Sequence, residues 1–164
     1  MLPERIKSFP PIVFSDSKIL ILGSVPGKKS LEMQQYYAHP QNAFWKIIFH
    51  IFNEDFSENY GDRIRILQKH NIALWDVIDS CERKGSLDSE IKNEEANEIM
   101  ELLNEHPQIK AIFCNGQKSY KNLQKILGKN FEMPVFCLPS TSPLHTIDFE
   151  KKVEVWHIIT NFTT

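Results

Sequence analysis

Short apolar runs alternate with amphipathic stretches along most of this chain. Lys18–Gly23 (KILILG) is an unbroken apolar run that stops at glycine, the pattern of a strand buried on both faces. Ile72–Ile78 (IALWDVI), Ala111–Cys114 and Val135–Leu138 repeat that pattern. Between them, apolar residues recur at helical spacing. From Asn42 onward they are Phe44, Ile47, Ile48, Ile51 and Phe52, and a shorter helix covers Arg63–Lys69. Asn93–Glu105 reads as a helix with Ile99, Leu102 and Leu103 on one face. Gln117–Leu127 carries Tyr120, Leu123, Ile126 and Leu127 inward, with Gly128 as a stop. A last helix, capped by Asp148, turns Val153, Val155, Trp156, Ile158 and Ile159 inward. The stretch to about Pro11 reads as an arm, residues 24–41 as a long polar loop, and Cys81–Ser89 as irregular.

Four apolar strands separated by helices predict an α/β fold. The expected form is a three-layer αβα arrangement with a short, about four-stranded parallel sheet flanked by helices. Such sheets bind ligands outside the carboxyl ends of their strands. The segments after Gly23, after Cys114 and after Leu138 share that edge.

The 164 residues suit one domain over 1–164, and 41% hydrophobic with 24% charged residues is a globular composition. No apolar run is long enough to span a bilayer, and the N-terminus lacks a secretory pattern, so a cytoplasmic protein without membrane contact is expected. Three scattered cysteines, Cys81, Cys114 and Cys137, form no disulfide framework and no zinc or iron–sulfur set. Cys114 and Cys137 read as small buried hydrophobes. None of the six histidines forms a metal-ligand pair on one helical face, so neither metal nor cofactor is expected. A net charge of −2 speaks against a protein that coats nucleic acid, yet leaves room for a local grip on a few phosphates.

Four segments carry candidate chemistry. Gly23–Ser30 (GSVPGKKS) resembles a phosphate-binding loop but has one residue too few between its glycines, and Pro26 removes a backbone donor. It reads as a tight turn at the mouth of a strand. Tyr36–Trp45 (YYAHPQNAFW) offers Tyr37 for stacking on a base or for packing, and Asn42 for holding a water or for capping a helix. Asn115–Gly116 is a turn signal whose Asn amide could read a base edge. Leu138–Thr146 (LPSTSPLHT) is a proline-stiffened, hydroxyl-rich loop, suited to holding phosphates while Leu144 wedges into a duplex. His145 follows that wedge directly. Asp76 and Asp79 suggest paired acids only weakly, since the direction of Asp76 on its strand is open.

In this order the motifs resemble the uracil-DNA glycosylase superfamily over roughly residues 18 to 146. GSVPG matches its first motif and LPSTSPL its second, while AHPQNAFWK is similar to a stretch of the mismatch-specific uracil/thymine glycosylases. Where the first motif has a water-holding side chain, this chain has Ser24 and Val25; where the second often begins with His, it has Leu138. Those losses resemble the hypoxanthine-DNA glycosylase branch. The resemblance implies a monofunctional DNA glycosylase of base excision repair that acts on double-stranded DNA carrying a deaminated base, most simply hypoxanthine. It implies no obligate protein partner. Asn42 would be catalytic, orienting water. Tyr37, Asn115, Gly23, Ser24 and Val25 would bind the base. Ser140, Thr141, Ser142, Pro143, Leu144 and His145 would contact DNA. Uracil or mismatched thymine is the alternative substrate. A non-catalytic DNA- or base-binding module on the same fold is the alternative of another class.

Overall fold

The structure is a computed structural model and describes residues 5–164. Its center is the expected parallel sheet. Strands β2 (Ile19–Gly23), β3 (Ile72–Asp76), β6 (Ala111–Asn115) and β7 (Val135–Leu138) lie in the order β3-β2-β6-β7. The five residues of β2 are all buried, because the strand is central and covered on both faces.

Alternate side chains divide the core in two. Ile19, Ile21, Ile72, Leu74 and Phe113 face helices α2 (Phe44–Ile51), α3 (Tyr60–Lys69) and α6 (Phe149–Trp156), through Phe44, Trp45, Leu67 and Trp156. Leu20, Leu22, Ala73, Ile112 and Cys114 face α4 (Ile99–Glu105) and α5 (Gln117–Leu127), through Ile99, Leu102, Leu103 and Leu123. Gly128 ends α5 at φ +72°, where a residue without Cβ is favoured.

Several expected boundaries move. The expected strand Ile72–Ile78 breaks at Val77, whose N–H donates to Gly23 O. The chain then runs on as β4 (Ile78–Glu82), which leaves the parallel sheet for a small antiparallel one, β1-β4-β5. β1 (Arg5–Lys7) shows that much of the expected arm is packed structure; residues 1–4 of that arm lie outside the described part. β5 (Lys92–Ala96) replaces the first part of the expected helix Asn93–Glu105, and only Ile99–Glu105 is helical. Glu and Asn residues on an exposed edge strand take their backbone partners from β4, and tertiary pairing overrides helix propensity there. Cys81 and Glu82 belong to β4 rather than to an irregular segment, while Lys28–Met33 forms helix α1 inside the expected loop. Near the C-terminus Val155 points to solvent, Asp148 makes no side-chain cap, and Cys137 is half-buried.

Candidate active site

Strand register sets three residues in a row at the carboxyl edge. Gly23 pairs with Asp76 on one side, and on the other Leu22 pairs with Cys114, which brings Asn115 next to Gly23. Each is two residues beyond a side chain in the α2/α6 core, so all three face that side. Gly23 leaves a notch between two polar side chains. Tyr37 reaches over it: a Cβ on Gly23 would stand 2.5 Å from Asp76 Oδ1 and 2.9 Å from Tyr37 Oη. Glycine is therefore required here by close approach.

Tyr37 has φ +54°, an unusual conformation for an aromatic residue. Two contacts hold it there. Its ring stacks on Phe44 at 4.1 Å between centroids and 23° between planes, and the following Ala38 N–H donates to Ser30 Oγ. Tyr36 is scaffold instead: its hydroxyl donates to Pro10 O and its carbonyl accepts from Trp45 Nε1. Burial, with the Asp76 charge added, pushes the Tyr37 phenol pKa up, while the Asn115 amide beside it pulls the other way. Tyr37 stays neutral, and its hydroxyl is buried without a hydrogen-bond partner.

Asp76 is the residue that sequence reasoning undervalued. It is 4% exposed, and its Oδ2 is buried with no partner. Burial first, and then the nearby Asp88 charge, push its pKa up to about 7, against the opposing pull of Arg83. The carboxyl is thus about half neutral near pH 7 and mostly neutral a pH unit lower. Its alignment with Gly23 could have been found only from register, which the sequence does not print.

The first loop is closed on its far side by residues 83–88. Ser24 Oγ donates to Asp88 Oδ1 at 3.0 Å, Arg83 donates to Pro26 O and Gly85 O, and Lys28 N–H donates to Ser86 Oγ. Val25 is buried in the opposite core with Leu20, Leu22 and Ile78. Its side chain therefore points away from the notch, and only its main chain could meet a ligand there.

The second loop is tied to the row by Asn115. Its amide donates to Thr141 Oγ1 at 3.0 Å and accepts from Thr141 N–H at 2.9 Å, leaving one N–H and one lone pair uncommitted. Thr141 is 1% exposed, so its hydroxyl braces the loop from within. The loop is also braced by Trp156 Nε1 donating to Pro139 O and by Ser142 N–H donating to Ser140 Oγ. At its tip Leu144 is 60% exposed, as a wedge requires, beside exposed Pro143. Asn42 lies between the two loops in the chain. Its Oδ1 accepts from Phe44 N–H at 3.0 Å, a local turn just ahead of α2, whose N-cap position is Ala43, and Ala43 N–H donates to Thr141 O. One lone pair and the NH2 group of Asn42 remain available. Among the described residues no group of three His, Cys, Asp or Glu side chains is arranged to hold a metal ion, and no helix is long and apolar enough to cross a membrane.

A family model described as the uracil DNA glycosylase superfamily matches residues 10–160. This chain belongs to that superfamily. A hypoxanthine DNA glycosylase from Methanosarcina barkeri is 40% identical over 125 residues, covering 74% of this chain and 79% of that protein. Another, from Methanosarcina acetivorans, is 32% identical over 154 residues, 93% of this chain and 96% of its own. A solution NMR structure from Methanosarcina acetivorans, described as a candidate uracil DNA glycosylase, superposes with TM-score 0.80 at 31% identity. The match covers 96% of this chain and 97% of that one. Superfamily membership and the three-layer architecture both agree with the sequence reading. The superfamily's first motif is here a backbone floor, backed by Arg83, Ser86 and Asp88 from a segment that sequence reasoning left without a role.

Proposed function

We propose that this chain is a monofunctional DNA glycosylase of base excision repair. Its substrate is double-stranded DNA with a deaminated base, hypoxanthine first. The observation that carries the reading is the row Asp76–Gly23–Asn115 with the Tyr37 hydroxyl reaching to Gly23 and exposed Leu144 on the loop that Asn115 braces. The 40% identical relative named for hypoxanthine supports the choice of base.

A base inside a duplex is out of reach, so it is flipped into the site. Leu144, with Pro143 beside it, fills the gap in the stack. Tyr37, backed by Phe44, offers the ring face for the flipped base. The free N–H and lone pair of Asn115 and the backbone at Gly23 and Ser24 meet its edge. Water adds to C1′ as the C1′–N bond breaks, the bond's electron pair goes to the base, and the proton lost by the water ends on the departing base by way of solvent. Asn42 is neutral and cannot take a proton strongly. Its free lone pair orients the water, so its contribution is positioning. Negative charge grows on the departing base. A neutral Asp76 keeps a carboxylate charge away from the notch at that moment.

A panel of duplexes carrying inosine, uracil, xanthine or a G·T mismatch tests this, with alkaline cleavage at abasic sites as readout. Release from inosine above all others is expected. Preference for uracil or mismatched thymine would give the alternative substrate, and binding without any release would mean a non-catalytic module.

A further inference from the structure

A groove of about 500 Å³ opens between the second loop and helices α2 and α6. Two side chains on its wall, Lys152 and His145, carry buried polar atoms with fewer partners than their chemistry asks for. Lys152, on α6, is 4% exposed, and its Nζ donates to Ser142 O at 3.2 Å. Burial pulls its ammonium pKa down. His145 has a buried Nε2 with no partner. Lys46, on α2, is exposed at the same wall. Among the described residues neither lysine has a carboxylate within ion-pair reach, and no Asp or Glu lines the groove.

A lysine this buried is rare unless paired, and a buried charge with one carbonyl partner is under-compensated. An anion from outside would supply the missing partner. Its source follows from position. Lys152 grips the carbonyl of Ser142, and Leu144 stands two residues further on at the exposed tip, where a duplex would meet the protein. We propose that this groove is an anion site for a DNA backbone phosphodiester beside the lesion, with Lys152 as its central ligand and Lys46 and His145 alongside. This rests on the DNA glycosylase reading. Because one ammonium holds both the loop carbonyl and the phosphate, seating the phosphate fixes the loop that carries the wedge.

The test measures binding to undamaged and inosine-containing duplexes across a salt series, apart from excision. Each phosphate contact contributes about 0.9 to the slope of log affinity against log salt. Lys152→Met and Lys46→Met should each make the slope shallower by about that amount, and Lys152→Arg should restore it. A methylphosphonate linkage placed in turn at each position flanking the lesion should weaken wild-type binding at one position, with no further loss in Lys152→Met. Unchanged slopes with excision intact would overturn the anion site and leave the glycosylase reading standing. Lysine-dependent slopes without excision would do the reverse. If Lys152→Met fails to fold, Lys46→Met and Lys152→Arg decide alone. A fourth arm uses inorganic phosphate: if it raises the melting temperature of the wild type but not of Lys152→Met, while duplex binding ignores the substitution, the site takes free phosphate and the DNA assignment is wrong.

Discussion

The two loops at the sheet edge are built in opposite ways. In Gly23–Gly27 nearly every group is committed inward. Gly23 O and Ser24 O accept from Val77 and Ile78, Ser24 Oγ is bound to Asp88, Pro26 O to Arg83, and Val25 is sunk in the core. In Leu138–Thr146 the bracing comes from behind, through Asn115, Trp156 and Lys152, while Pro143 and Leu144 face solvent. The first is a floor that fixes depth, and the second a clamp whose outer surface is free to meet a partner. Recognition of a base demands fixed geometry, and gripping a duplex demands exposed groups on a firm support.

The floor is broken most severely at Gly23. Gly23→Ala forces a Cβ against Asp76 Oδ1 and Tyr37 Oη, both held in place by packing. Overpacking of this kind costs about 1–3 kcal/mol, and displacement of the stacking ring should lower single-turnover excision by roughly 100-fold or more. A normal rate from a normally folded variant would mean that the floor is soft. Asn42→Ala separates chemistry from the local turn. Loss of its bond to Phe44 N–H should cost about 1 kcal/mol in melting, and loss of water positioning should slow excision on the order of 100-fold. Destabilization without a rate change at saturating DNA would leave Asn42 with the turn alone.

The next effect is on pH. Asp76 binds its proton more tightly in the folded chain than in the unfolded one, since its pKa rises from 3.8 to about 7. Its effect on stability is therefore most favourable below about pH 4 and is lost as pH rises toward 7. Excision should fall above pH 7, by up to about tenfold per pH unit if the neutral form alone is competent. Asp76→Asn should flatten both profiles and melt higher than the wild type at pH 8. A rate that climbs through pH 7 in the wild type would contradict the need for a neutral carboxyl. The smallest effect belongs to the clamp. Leu144→Gly removes an exposed side chain and should leave melting unchanged, yet lower release from a well-paired base roughly 3–10-fold more than from a mispaired one, within the worth of one buried Leu. Equal losses on both substrates would argue against a wedge.

The parallel sheet was legible because KILILG, IALWD, AIFCN and VFCL are runs buried on both faces, a signal that survives without knowledge of partners. The small antiparallel sheet was not. Its edge strand KNEEA has no alternation, and pairing with β4 decides its state. Tyr37, Asn42 and Asn115 could be nominated as candidates because each sits in a recognisable motif. Asp76 could not be ranked without the register that sets it beside Gly23, and the burial of the Val25 and Thr141 side chains was not legible because a motif does not say which face a side chain takes.

The floor at Gly23 also bears on how this site can diverge over generations. Its depth is set by main chain, and its neighbours Asp76 and Tyr37 have no slack, so a single substitution there tends to be lost before it can be refined. The exposed tip at Leu144 tolerates exchange, because little of the fold depends on it. New substrate preferences should therefore begin with changes in the outer loop, which alter which lesions are opened, and reach the floor only in company with changes at Asp76 or Tyr37.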